Sequence, residues 1–332
     1  MKPNHINILY RADCAKRLRD ENSFPNKSVD LVITSPPYAN QRKGSYGGIS
    51  PDKYVKWFLP ISKQLYRILK PRGSFILNIK ENVKDGERQI YVLQLITALK
   101  KQGWLWTEEY CWYKKNCHPG KWGNRFRDSW ERCLHFTKNK KFKMYQDSVK
   151  VPIGDWAKTR FKSMSQKDFV RTISGTDSKF GRNVSNWLNK RKVYPHNVLD
   201  FEKEHYIEPT TVIHFATACS NRNHSAAFPL ELPSWFIKLF TKNGDIVLDP
   251  FMGIGTTGVA AVLLKRNYIG IEISNEYIKE ARNNIKRLKR LHKTKRAIQA
   301  SRSQKIRKAN RPDDLQTLRP DRRRNRNCGR TK

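Results

Sequence analysis

Acidic residues are scarce in this chain: 29 Asp and Glu stand against 67 Lys and Arg, a formal net charge of +38 over 332 residues. Solubility does not need a field of that size, so a polyanion is the expected partner. Long apolar runs are missing as well. With no stretch of about 18 apolar residues, a membrane-spanning helix is not expected, and Met1–Tyr10 lacks the apolar core of a secretory signal. A soluble, cytoplasmic, nucleoid-associated protein is the expectation. Cysteine is sparse and scattered. Cys14, Cys111, Cys117, Cys133, Cys219 and Cys328 include no C-x-x-C pair, which argues for reduced thiols over a disulfide framework. Cys111, Cys117, His118 and Cys133 fit no common zinc spacing, so no metal is expected. No clean internal repeat is visible.

The charge that is present is unevenly placed. Residues 112–205 hold 22 Lys and Arg against 9 Asp and Glu, and residues 286–332 hold 19 against 3. Between and before these segments the pattern alternates strand and helix. Ile6–Tyr10 and Val29–Ile33 read as strands, the second apolar enough to be buried on both faces. Tyr54–Leu69 has helical period, with Trp57, Phe58, Ile61, Leu65 and Ile68 on one face, and Pro71-Arg72-Gly73 stops it. Ser74–Ile79 is the next strand, Ile90–Lys100 a helix ended by Gly103, and Leu105–Tyr113 a strand. Regularity returns with a helix at Leu232–Phe240, a strand at Asp245–Asp249, a small-residue helix at Gly255–Leu264, a strand at Tyr268–Glu272 and a helix from Asn275 to about Leu291. The expectation is an α/β chain with a mostly parallel sheet and helices on both faces. Residues 1–113 and 209–292 would form two halves of one core. Residues 114–208 would be an inserted basic region carrying partner contacts, and 293–332 a basic tail, disordered without a partner.

Two motifs carry chemistry. Asp249-Pro250-Phe251-Met252-Gly253-Ile254-Gly255-Thr256-Thr257-Gly258 contains G-x-G-x-x-G after a strand and at the opening of a helix, the context in which that pattern binds a nucleotide-like ligand. Glu272 ends the following strand, where a carboxylate can accept from both ribose hydroxyls. Asp249 at the strand tip would repel a pyrophosphate but can receive the ammonium of a methionine moiety, which favours S-adenosylmethionine over NAD. The second motif is Thr34-Ser35-Pro36-Pro37-Tyr38, again at the end of a buried strand. Its two prolines fix φ and remove two N–H donors, leaving the Pro36 carbonyl and the Ser35 hydroxyl as acceptors for an amino group and the Tyr38 ring as a stacking face.

Taken together, these motifs resemble those of the DNA amino-methyltransferases of restriction–modification systems. There a D/N/S-P-P-Y/F motif holds the target base and an F-x-G-x-G-like motif binds S-adenosylmethionine. The serine form is typical of N4-cytosine enzymes, and the order, catalytic motif first, is that of the β group. The resemblance covers 6–115 and 210–290. It implies a Rossmann-like methyltransferase fold, catalytic roles for Ser35, Pro36, Pro37 and Tyr38, and cofactor contacts from Asp13, Thr34, Phe228, Pro229, Asp249, Pro250, Phe251, Gly253, Gly255, Thr256, Thr257 and Glu272. Lys114, Lys115, Lys121, Arg125 and Arg127 are the expected DNA contacts, with double-stranded DNA as partner, a cognate restriction endonuclease acting on the same site, and a monomer or homodimer. Ser35 would accept from the amino group, and Tyr38 would stack on a base turned out of the duplex. Because only the ring stacks, Tyr38→Phe is expected to keep much of the activity. The rivals are N6-adenine methylation by the same fold, an RNA substrate, and an inactive DNA-binding protein that kept the fold. An NAD oxidoreductase leaves Ser-Pro-Pro-Tyr and the charge unexplained.

Overall fold

The computed structural model describes residues 5–40, 48–114, 123, 125–126, 128–153, 192–201, 228–288 and 290. The chain divides into two compact units, Met1–Ile285 and Lys286–Lys332. In the second, the described residues 286–288 and 290 are helical.

The first unit is built on one sheet. Its strands are β1 (Ile8–Arg11), β2 (Val29–Thr34), β3 (Leu69–Ile79), β4 (Leu105–Tyr113), β5 (Trp130–Thr137), β6 (Val198–Leu199), β7 (Ile246–Asp249) and β8 (Asn267–Glu272), in the spatial order β1-β8-β7-β2-β3-β5-β4-β6. All neighbours pair in parallel except β5, which runs antiparallel to both β3 and β4. The sheet therefore continues past residue 113, where the first half of the core was expected to end. Trp130–Thr137 lies inside it, not in a separate module.

Among the described residues six α-helices accompany the strands: α1 (Cys14–Arg17), α2 (Pro51–Ile68), α3 (Tyr91–Lys101), α4 (Glu231–Phe240), α5 (Thr256–Leu263) and α6 from residue 275. Pro51 starts α2 at a position where no N–H is needed. Its buried face, Tyr54, Phe58, Ile61, Leu65 and Ile68, repeats every three to four residues. That face joins one core with Phe75, Leu77, Leu134 and Phe136. Between the last two, His135 faces the other way and packs on Phe240 of α4, ring centroids 4.6 Å apart. Alternation along β5 thus covers the sheet with helices on both faces.

One element is longer than its sequence suggests. β3 begins at Leu69, directly after α2, and a register shift between Val29 and Leu31 absorbs Pro71-Arg72-Gly73. A bulge is where a strand tolerates such residues. At Gly73 a Cβ would stand 2.7 Å from the Asp30 carbonyl oxygen, so only glycine lets the bulge lie this close to β2. Asp30 itself is buried. It pairs with Lys70 at 2.7 Å and Lys143 at 3.2 Å and accepts from the Ile246 N–H at 3.1 Å, fastening β2, β3 and β7 at one end of the sheet.

Strand order reverses between β7 and β2. From β7 the chain proceeds outward to β8, and from β2 outward to β3. Ligands of open α/β sheets bind at the carboxyl ends of strands beside such a switch point. Both sequence motifs follow those two strands.

Candidate active site

The pairing of Val247 with Leu31 and Leu248 with Val32 brings the two motifs side by side. Asp249 and Thr34, the last residues of β7 and β2, are 1% and 0% exposed. The Thr34 hydroxyl donates to Asp249 Oδ1 at 2.6 Å, the Thr257 hydroxyl to Oδ2 at 2.6 Å, and the Phe251 N–H to Oδ1 at 3.0 Å. Burial raises the Asp249 carboxyl to about 6 despite these donors. Asp249 is therefore a brace inside the site as well as a strand-tip carboxylate. Thr34, expected among the cofactor contacts, has its hydroxyl committed to that brace.

The glycine turn follows. Gly253 and Gly255 have φ of +54° and +90°, the region that side chains other than glycine rarely adopt. Their surroundings differ. A Cβ on Gly255 would lie 2.9 Å from the Ala281 Cβ, so this glycine is needed for packing against α6. Around a Cβ on Gly253 there is nothing within 4 Å among the described residues, leaving open space over the backbone where a ligand can approach. Glu272, buried at the end of β8, accepts from the Gly253 N–H and from the Ser274 N–H, both at 2.8 Å. Thr256 opens α5 on the C-terminal side of the turn. Asp13 lies just past β1 and caps α1, accepting from the Lys16 N–H at 3.0 Å. Its neighbour Cys14 has its thiol raised by burial, then by the Asp13 charge. Phe228 and Pro229 are half-buried just before α4, and Pro250 is buried.

On the β2 side, Pro36 is buried and Ser35, Pro37 and Tyr38 are half-buried. The Pro37 carbonyl accepts from the Tyr54 hydroxyl of α2 at 3.1 Å. Tyr54 also packs on Trp57 with centroids 5.2 Å apart, and Trp57 on Phe251 at 5.7 Å. One face of α2 thus ties the proline turn to the glycine turn. The Tyr38 hydroxyl is held more firmly than a stacking role requires. It donates to Glu131 Oε2 at 2.7 Å, lies 3.1 Å from Asn78 Oδ1, and receives the Ser35 hydroxyl at 3.3 Å. Burial, then the Glu131 charge, pushes the phenol well above its ordinary value.

The chain has counterparts among known proteins in both sequence and fold. A family model described as DNA methylase, of the N6/N4 kind, matches residues 29–283. The chain belongs to the DNA methylase family. Among its relatives is the type II methyltransferase M.PvuII of Proteus hauseri, 30% identical over 271 residues, covering 77% of each chain. The DNA adenine methyltransferase YhdJ of Escherichia coli strain K12 is 29% identical over 280 residues, covering 83% of this chain and 81% of that one. A solved structure named PvuII DNA methyltransferase (cytosine-N4-specific) superposes with a TM-score of 0.59 at 26% identity, covering 83% of this chain and 85% of that one.

Two of the expected DNA contacts in this methylase are ion-paired in the structure. Lys114 is ion-paired with Glu131, beside Tyr38. Arg125 joins Lys80 and Arg88 around the single carboxylate of Asp128, at 3.2, 3.3 and 2.6 Å. Lys115, Lys121 and Arg127 lie outside the described residues, as do Cys117 and His118. The residues that sequence reasoning missed are Tyr54, Trp57, Asn78 and Glu131. The last two sit on β3 and β5 as ordinary polar positions, and only the sheet pairing directs them at Tyr38. Among the described residues no helix is long and apolar enough to cross a membrane.

Proposed function

We propose that this methylase transfers the methyl group of S-adenosylmethionine to N4 of a cytosine turned out of duplex DNA. The supporting observation is the junction of the two turns. The direct Thr34–Asp249 bond joins the proline turn to the glycine turn, so a base held by the first is presented to a methyl donor held by the second. When bound, S-adenosylmethionine supplies an electrophilic methyl group on a sulfonium. The rest falls to the chain. Gly253, Gly255 and Thr256 cradle the cofactor, Glu272 and Asp13 face its nucleoside, Pro250 and Phe251 close on it from β7, and Phe228 and Pro229 from the approach to α4. Asp249, Thr34 and Thr257 brace that cradle from within. Ser35 and the Pro36 carbonyl accept from the target amino group, making its lone pair available for in-line attack, and Tyr38 with Pro37 shapes the wall behind the base. Such catalysis is chiefly positioning and electrostatics.

Serine at the head of the proline motif favours cytosine. The adenine specificity named for the Escherichia coli relative keeps N6 of adenine as the alternative. Double-stranded DNA is the partner substrate in this reading, with a nuclease of the same sequence specificity as its counterpart. Duplex DNA incubated with the protein and tritiated S-adenosylmethionine, then digested to nucleosides, should give labelled N4-methylcytosine. N6-methyladenine as sole product would replace the cytosine assignment, and an unlabelled digest would overturn the methyl-transfer reading altogether.

A further inference from the structure

We propose that Glu131 is a positioning residue that sets the direction of the hydrogen bonds at Ser35 and so makes the serine an acceptor toward the target amino group. The inference rests on the methyl-transfer reading above and assigns the residue that makes it work.

A serine hydroxyl is ambivalent, with one proton to give and two lone pairs. An exocyclic amino group is assisted only by the lone pairs. If Ser35 were to spend its proton toward the base, it would oppose the reaction. The surroundings of Tyr38 remove that freedom. The phenol has a single proton and, among the described residues and besides the Ser35 hydroxyl, two oxygens in reach: the Glu131 carboxylate at 2.7 Å and the Asn78 amide oxygen at 3.1 Å. The charged and nearer acceptor takes it. Asn78 is itself oriented, since its Nδ2 donates to Glu131 Oε2 at 3.2 Å and to the Arg132 carbonyl at 3.1 Å. With its own proton on Glu131, the Tyr38 oxygen can only accept, and the donor it faces is the Ser35 hydroxyl at 3.3 Å. The chain of donation runs from Ser35 to Tyr38 to Glu131, and the lone pairs of Ser35 are left for the substrate.

Glu131 is held in place because Lys114 pairs with its other oxygen. It is 8% exposed on β5, whose antiparallel pairing with β3 sets Cys133 opposite Asn78 and keeps Glu131 on the same face two residues away. The polarity of a catalytic serine is thereby fixed from 96 residues along the chain, by strand register. This also changes the expectation for Tyr38→Phe. The variant keeps the ring but cuts the chain of donation, so activity should fall although stacking survives.

The test is a double-mutant cycle on the full chain with Glu131→Gln, Tyr38→Phe and the pair, read as single-turnover methyl transfer, KM for DNA and for S-adenosylmethionine, and melting temperature. Each single variant should lose about 10- to 100-fold in rate, the size expected for one charge-assisted hydrogen bond acting in the transition state. Both KM values and the melting temperature should hold near wild type. The double variant should be no slower than the slower single, because both changes break one chain. Wild-type rates in Glu131→Gln, multiplicative losses in the double variant, or a rate loss that tracks a lower melting temperature or weaker cofactor binding would each overturn the assignment. Failure of the wild-type protein to methylate would overturn the underlying reading as well, and is seen before any variant is compared.

Discussion

His135 shows how much of this molecule is decided by the surroundings of single side chains. Nothing in the sequence distinguishes it from a ligand or a base, yet it is 1% exposed. Its Nε2 is bonded to the Ser74 hydroxyl at 3.0 Å, its Nδ1 has no hydrogen-bond partner among the described residues, and its ring packs between Phe142 and Phe240. Burial lowers its pKa to about 3. The folded form therefore stays neutral while the unfolded chain takes up a proton near pH 6.5, so this residue's contribution to stability is full above pH 6.5 and is lost as the pH falls toward 3. Between pH 6.5 and 5 the loss should approach about 2 kcal/mol. His135→Gln keeps a partner for Ser74 but cannot titrate. Chemical denaturation of both proteins at the two pH values should show a smaller acid loss in the variant, and equal losses would show that His135 is not held neutral. Asp249 runs the other way. Its carboxyl is raised to about 6, so the uncharged form is favoured in the ligand-free fold below that pH and the cost of burying the charge is felt above it.

At the scale of elements, the turn between β7 and α5 separates two uses of glycine. Gly255→Ala places a Cβ against Ala281 at a φ of +90°, so both strain and packing are affected. A destabilisation of about 1–3 kcal/mol is expected, with cofactor affinity falling as a consequence. Gly253→Ala meets open space at a φ of +54° and should cost only about 1–2 kcal/mol of stability. Its new methyl group stands where the cofactor is proposed to approach, so affinity should fall by more than the stability loss accounts for. Melting temperatures with calorimetric titration of S-adenosylmethionine separate the two. Equal affinities for wild type and Gly253→Ala would remove the cofactor from that space. The α2 helix belongs to this scale too. Its Trp57 reads in the sequence as a member of an apolar stripe and Tyr54 as the start of the helical span, and the fold makes them the tie between the proline and glycine turns.

For the whole molecule, the +38 charge is unevenly placed along the chain. Among the described residues near the proposed site, Lys114 pairs with Glu131, and Lys80, Arg88 and Arg125 pair with Asp128. Three cations on one carboxylate hold one another in fixed geometry, a different thing from a loose basic surface. The 286–332 segment carries a surplus of another kind, 19 Lys and Arg against 3 acidic residues. Removing residues 293–332 should weaken DNA binding and flatten its salt dependence by about 0.9 log unit per lost phosphate contact, while the methylated sequence stays the same. Binding isotherms at several salt concentrations, with sequencing of the methylated sites, test this. A changed target sequence would mean that the tail reads bases.

The sequence by itself determined the class of fold, both motifs and the family, because these are written locally. Alternation of strand and helix, a proline pair after a buried strand and a glycine turn opening a helix each need only neighbouring residues. It also placed the ends of most elements within a residue or two, and misplaced the start of β3, where a bulge hides five strand residues behind Pro71 and Gly73. Tertiary structure alone decided the rest. Which strand ends meet, and hence the Thr34–Asp249 bond, follows from the order β7-β2 across 215 residues of chain. That Glu131 faces Tyr38 instead of solvent follows from the antiparallel register of β5 on β3. A charged residue on a strand carries no local sign of its partner. Only the pairing of strands, set by burial of the whole sheet, determines what its carboxylate will touch.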